Sequence, residues 1–258
     1  MKRIVLVLVA FALLGALIFA MFKGFGKNPR EVPFELQGRA APAFSMPTLE
    51  GGQLSLEALR GRPVVINFWS SWCAPCAEEA PALEMSFRKW GKHVAFVGVV
   101  FEDTENNARN FLRRYPASYP QLFSPVSTMA IDYAVTGVPE TYFLNEEGRI
   151  IGKYPAPILS TAQFDFLLLD SRMKDMLLQN PKPEELWLKE VLLNPLGLED
   201  AWLKDVLSQN PGLKEFWLFN VLHKNPPLKE ALLKDAQVQE ALSQNPHLKT
   251  LFSQGASP

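Results

Sequence analysis

An α/β sandwich around a central sheet is the fold class the sequence predicts, and three observations predict it. Residues 64–69, V-V-I-N-F-W, and 94–101, V-A-F-V-G-V-V-F, are apolar runs of strand length, the kind a sheet buries on both faces. Between them, Ala80, Leu83, Phe87 and Trp90 recur at helical spacing. Further on, residues 141–144 and 149–154 flank the glycine-bearing loop 145–148, a hairpin pattern.

The elements follow in order. Lys2 and Arg3 precede residues 4–22, nineteen positions without a charge. As a helix this run spans roughly 28 Å, about one hydrocarbon core. Residues 1–22 are therefore expected to be a transmembrane signal anchor, with the two basic residues holding the N-terminus in the cytoplasm and the rest exported. Ile18-Phe19-Ala20 makes a poor cleavage site, against a removed signal peptide. Residues 23–38 carry glycine, proline and charge without a period and read as a linker. Phe44-Ser45-Met46 alternates like a short strand, Gly51-Gly52 is a turn signal, and residues 54–59 read as a short helical piece. The strand at 64–69, the helix at 74–90 and the strand at 94–101 form a βαβ arrangement. A second helix over 106–115 turns Phe111 and Leu112 inward; then come the hairpin and a helix beginning near Phe164.

The 258 residues hold 26 basic and 27 acidic side chains. This balance offers no basic face for nucleic acid. His93, His223 and His247 are scattered, and with two cysteines they make no zinc-ligand pattern, so no metal or cofactor is expected. Those two cysteines, Cys73 and Cys76, sit in S-S-W-C-A-P-C-A-E-E. A bridge across two residues closes a tiny loop and removes little chain entropy, so it is a poor staple. A thiolate at the start of a helix is stabilised by free N–H groups, which makes Cys73 the reactive thiol. Cys76, one turn later on the same face, can resolve a mixed disulfide. Pro75 fits the first helical turn, and Trp72 is expected to cover the site and exclude water. The competing readings are a structural disulfide and half a metal site.

N-F-W-S-S-W-C-A-P-C resembles the thioredoxin superfamily active site, which implies a thioredoxin-like fold over residues 39–170. Asn67 and the E-E-x-P after Cys76 are similar to the membrane-anchored TlpA/ResA/CcmG branch. N-P-R-E-V-P-F-E-L-Q-G-R-A-A-P-A-F-S-M-P-T-L at 28–49 and Y-A-V-T-G-V-P-E-T-Y-F-L at 133–144 resemble the CcmG/DsbE family of cytochrome c maturation. The resemblance implies a thiol:disulfide oxidoreductase with Cys73 as nucleophile and Cys76 as resolving thiol, the two forming the redox-active disulfide. Glu79 and Glu140 match family carboxylates beside the site. Pro139 matches the cis-proline that, with Val138, Trp72 and Pro75, contacts substrate. The implied substrate is the disulfide of an apocytochrome c haem-binding motif, and the implied electron donor a DsbD/CcdA-type membrane protein. The implied place is the bacterial inner membrane, single-pass, with the soluble domain in the periplasm.

Residues 171–254 lie outside this resemblance. Trp187, Trp202 and Trp217 are spaced by fifteen, Leu232 follows at the same interval, and Asn-Pro recurs at 180, 194, 210, 225 and 245. Asn-Pro is a helix start, with Asn as cap and Pro as first helical residue. Each unit reads as a helix of about ten residues, too short to stand alone in water, so the units are expected to stack in an all-α repeat array. The tryptophan stripe serves either as the core of that array or as a docking surface for apocytochrome, another maturation subunit or a second copy. Two alternatives to a cytochrome-directed reductase stay open: a general ResA/TlpA-like reductase, and a redox-passive scaffold acting through the repeats.

Overall fold

The computed structural model describes residues 36–179, 218–219, 221–223 and 225–245, with the single positions 189, 192, 249 and 252. Its centre is a five-stranded sheet built from β3 (Val64–Trp69), β4 (Ala95–Val100), β5 (Gln121–Leu122), β6 (Glu140–Leu144) and β7 (Ile150–Tyr154), in the order β5-β4-β3-β6-β7. β3 and β4 run parallel from Val64 opposite Ala95, whereas β6 pairs antiparallel with both β3 and β7. Every residue of β3 and of β4 is buried, as their unbroken apolar character requires. A two-stranded hairpin, β1 (Ser45–Pro47) and β2 (Gln53–Ser55), turns at Gly51 and Gly52, both at φ +95, a conformation that favours glycine.

Successive side chains of β3 point to opposite faces. Val65 packs with Leu83, Phe96, Phe143 and Phe164, joining α1 (Ala74–Trp90) and α4 (Thr161–Gln179) to one face. Phe68, facing the other way, meets the rings of Tyr133 and Tyr142 at 5.7 and 5.5 Å. The helices α1 and α4 are also linked by Asp165, which accepts from Lys89 Nζ at 2.7 Å and from Trp90 Nε1 at 2.6 Å. α2 (Glu105–Arg114) starts at Thr104, whose hydroxyl accepts from Asn107 N, and lays Phe111 on Trp69 with ring centroids 4.6 Å apart.

The structure departs from the sequence reading in three places. Leu54 and Ser55 are in strand β2, paired with β1 across the glycine turn; only Glu57–Leu59 of the expected helical piece forms a 3-10 turn. β5 and the short helix α3 (Thr128–Asp132) were not foreseen: two and five residues carry no readable period. The helix α4 runs without a break through residues 170 and 171, where the sequence suggested a boundary. Beyond that point Arg172 pairs with Glu146, and Asp175 accepts from Asn145 Nδ2 at 3.0 Å, so this part of the helix is held to the β6–β7 turn.

In the C-terminal region two nine-residue helices are described, α5 (Pro226–Lys234) and α6 (Ala236–Gln244). Asn225 Oδ1 caps α5, accepting from Leu228 N at 3.3 Å, and Pro226 follows it in the first turn. Asp235 caps α6, so the longer last interval of the sequence pattern contains a second helix started without Asn-Pro. Leu228, Leu232, Val238 and Leu242 are buried, while His223 is exposed and stacks on Phe219. Trp187, Trp202, Trp217 and the Asn-Pro pairs at 180, 194 and 210 lie outside the described residues, as do the 1–22 span and most of the 23–38 linker. Among the described residues no helix is long and apolar enough to cross a membrane.

Gly98 in β4 admits the Gln121 amide: a Cβ there would collide with Gln121 Oε1, Cδ and Nε2. Gln121 is buried and its Oε1 accepts from Trp69 Nε1 at 2.8 Å. Gly98→Ala is expected to cost about 1–3 kcal/mol of unfolding free energy, read from urea titration, because the Gln121 amide would have to leave its bonds to Trp69 Nε1 and the Tyr119 carbonyl. A variant as stable as the parent would contradict this packing.

Candidate redox site

β3 delivers the chain into the site. After Trp69, the turn through Ser70 and Ser71 is tied to Asp103, which accepts from Ser71 N at 2.7 Å and Ser70 Oγ at 3.1 Å. Burial works against the Asp103 carboxylate, but the hydrogen bonds from Ser71, Thr104 and Ser70 together outweigh it and hold the carboxyl below its ordinary range. Cys73 is then the N-cap of α1, with extended backbone, and its Sγ accepts from Cys76 N at 3.2 Å. Pro75 occupies the first turn, where its missing N–H has no intrahelical partner to lose. Cys73 and Cys76 are joined by a disulfide, and both are buried, at 4% and 1% exposure.

Two elements close around the disulfide. In front, Cys73 Sγ lies 3.5 Å from the Val138 carbonyl oxygen, and the Val138–Pro139 peptide bond is cis. Behind it, Glu79 is buried on the next turn of α1; Glu78 beside it is exposed. Glu79 Oε1 accepts from Asn67 Nδ2 at 2.9 Å and Oε2 from Ile158 N at 3.1 Å. Burial raises its carboxyl from 4.5 to about 7, against the downward pull of these two hydrogen bonds. Glu79 and Cys76 line the same cavity of about 20 Å³, together with Asn67, Trp69 and Gln121. That volume is enough for one water.

Glu140 follows Pro139 directly and is also buried. It accepts from Thr136 Oγ1 at 2.7 Å and from Tyr142 Oη at 3.1 Å, and pairs with Lys153 Nζ at 3.0 Å. Trp72 departs from expectation. It does not bury itself over the disulfide: it is 60% exposed, donates from Nε1 to the Glu102 carbonyl at 3.0 Å, and forms one wall of a groove of about 700 Å³ with Phe101, Val126 and Ile131. The cysteines are covered instead by the packing of Trp69, Val100, Ala108 and Phe111 around them. The sequence reading missed Asn67 as the partner of Glu79, and it missed Asp103 and Lys153 altogether. Asp103 lies just past the carboxyl end of a buried parallel strand, the position where sites gather in α/β sheets, and this was the one available signal.

A buried, disulfide-bonded cysteine pair at a strand-to-helix junction, facing a cis-proline turn on a thioredoxin-like sheet, defines a thiol:disulfide oxidoreductase. Comparison with known proteins gives the particular branch. The profile of the AhpC/TSA family matches residues 37–153. The chain is 38% identical over 117 residues to thioredoxin-like protein YneN of Bacillus subtilis, covering 44% of this chain and 68% of that one. It is 35% identical over 160 residues to thiol:disulfide interchange protein DsbE of Allochromatium vinosum, covering 61% and 86%. Against thiol:disulfide interchange protein HelX of Rhodobacter capsulatus it is 34% identical over 154 residues, covering 58% and 84%. The chain belongs to the family of the thiol:disulfide interchange proteins DsbE and HelX, the CcmG/DsbE type, on an AhpC/TSA thioredoxin-like domain.

The raised carboxyl of Glu79 has a consequence for stability. Between about pH 4.5 and about pH 7 the folded oxidised protein holds a proton on Glu79 that the unfolded chain has released, so this group withdraws stability as pH rises through that window. Below it both states are protonated and nothing is lost. Comparing Glu79→Gln with the parent by urea unfolding, the difference is expected to move in favour of the variant by about 3 kcal/mol between pH 4 and pH 8. A difference independent of pH would contradict the assignment.

Proposed function

We propose that this protein is a membrane-anchored reductase that opens the disulfide of the apocytochrome c haem-binding motif on the periplasmic side of a bacterial inner membrane. Residues 1–22 are the anchor, 23–38 the linker, and 39–170 with the rest of α4 the catalytic domain, followed by a C-terminal region that contains α5 and α6. The observation that carries the reading is the Cys73–Cys76 pair set between Glu79 behind and the Val138–Pro139–Glu140 turn in front. The likeness to DsbE and HelX and the G-V-P-E-T stretch at 137–141 support the cytochrome-directed form of it.

In this reading the Cys73 thiolate attacks one sulfur of the substrate disulfide. A Cys73–substrate bond forms, the substrate S–S bond breaks, and one substrate thiolate leaves. Glu79 accepts the Cys76 proton, and the Cys76 thiolate attacks Cys73 Sγ. The Cys73–Cys76 disulfide forms and the second substrate thiolate is released, so two electrons have passed to the substrate. A DsbD/CcdA-type donor dithiol reverses these steps to restore the enzyme. Trp72 and Pro75 flank the attacking sulfur, and Val138 and Pro139 offer backbone to an extended substrate chain. The groove walled by Trp72, the residue before Cys73, leaves Trp72, Val126 and Ile131 exposed and accommodates apolar side chains of an unfolded polypeptide. The C-terminal region that contains α5 and α6 supplies surface for a further maturation subunit.

A general reductase is the second reading, favoured by 28% identity over 148 residues to thiol-disulfide oxidoreductase ResA of Bacillus cereus and by the YneN match. A Cys76→Ala variant expressed in native membranes cannot resolve its mixed disulfide, so partners stay bound to Cys73. Mass spectrometry of the trapped species is expected to give apocytochromes c. A broad set of unrelated exported proteins would replace the cytochrome assignment with the general one.

A further inference from the structure

Lys153 places its side-chain nitrogen on both shoulders of the turn that faces the disulfide. Its Nζ donates to the Ala134 carbonyl at 3.2 Å and pairs with Glu140 at 3.0 Å. Ala134 and Glu140 bracket residues 135–139, and the middle of that segment places the Val138 carbonyl 3.5 Å from Cys73 Sγ. Ala134 holds φ +51, a conformation that costs a non-glycine residue energy and persists only when neighbours hold it. The same ammonium lies 5.3 Å from the Tyr142 ring centroid, opposite which it sits in the β6–β7 register. The pair is deeply placed, with side-chain exposures of 13% for Lys153 and 2% for Glu140.

We infer that Lys153 is a positioning residue that sets the reduction potential of the Cys73–Cys76 couple, by neutralising Glu140 and fixing the 134–140 turn against Cys73. The inference rests on the reading of this disulfide as the working redox couple. The Glu140 backbone is two residues, at most about 7 Å of chain, from Val138, whose carbonyl lies 3.5 Å from Cys73 Sγ, which sets the ion pair in the neighbourhood of that sulfur. Reduction breaks the S–S bond, takes up two electrons and one proton, and leaves a thiolate on Cys73 and a thiol on Cys76. Only the reduced state carries the new negative charge, so only that state responds to a charge nearby. With both partners present their fields nearly cancel at the sulfur. Without Lys153, the lone carboxylate opposes the thiolate and disfavours reduction. Without the Glu140 charge, the lone ammonium favours it.

The test is a charge cycle read as a potential. The parent, Lys153→Met, Glu140→Gln and the double variant are equilibrated at pH 7 with glutathione and glutathione disulfide, and the reduced fraction is measured by thiol alkylation and mass. Two glutathione thiols supply the electron pair and become one glutathione disulfide. Lys153→Met is expected to shift the equilibrium about tenfold toward the disulfide, about 30 mV more negative for a two-electron couple. Glu140→Gln is expected to shift it the opposite way by a similar factor, and the double variant to return within about twofold of the parent. Thermal unfolding of the same four proteins separates a purely structural role, which lowers melting temperatures without opposed shifts in potential. Equal potentials for all four, or shifts of one sign, would overturn the inference while leaving the redox reading intact. A parent that forms no reversible couple with glutathione would overturn both.

Discussion

Strand β3 is hydrogen-bonded on both edges and buried on both faces, and almost everything at the site follows from where it ends. A strand so enclosed cannot slide: a shift of one residue would turn Val65, Asn67 and Trp69 to the opposite face. Its end therefore fixes where α1 begins, and the first residue past the turn becomes the cap. That residue is Cys73. The same alternation sends Asn67 toward α1, where its amide reaches Glu79, and Trp69 onto Phe111. The dithiol, its buried carboxyl and the aromatic cover are consequences of one register.

The neighbouring strands supply what β3 does not. β4 ends at Val100 and passes into Asp103, which secures the Ser70–Ser71 turn from the side. Antiparallel β6 begins at Glu140, opposite Phe68, so the residue before it, Pro139, is carried close to the N-terminus of α1. The disulfide thus sits where three strand ends converge. Its two sides differ in chemistry: a raised carboxyl shares a small cavity with Cys76, while a neutralised carboxylate stands on the Cys73 side. A pair of thiols that must act in sequence, one attacking and one resolving, needs environments that differ in this way.

Much of this was legible in the sequence because it is local. The apolar runs of β3 and β4, the helical spacing after Cys73 and the hairpin around 145–148 each declare themselves within a dozen residues. The reading of residues 54–59 as a helical piece misled for the converse reason: it was overruled by pairing of Leu54 and Ser55 with β1, which only the fold supplies. The least legible features are contacts across long separations. Resemblance singled out Glu79, but not its bond to Ile158, 79 residues away in sequence. Lys153 meets Glu140 only because the β6–β7 register brings them together, and nothing in a lysine on a hairpin strand signals it. Resemblance located Pro139 and Glu140; the charge partner required the structure.

The central claim is that the junction makes the two sulfurs unequal, with Cys73 the attacking thiol. The reduced protein should be pulsed with a limiting amount of iodoacetamide across about pH 5 to pH 9, and the modified peptides quantified. The account predicts that Cys73 is alkylated first and remains reactive well below the ordinary thiol range near 8.5, while Cys76 lags behind throughout. Equal modification of the two, or faster modification of Cys76, would contradict it.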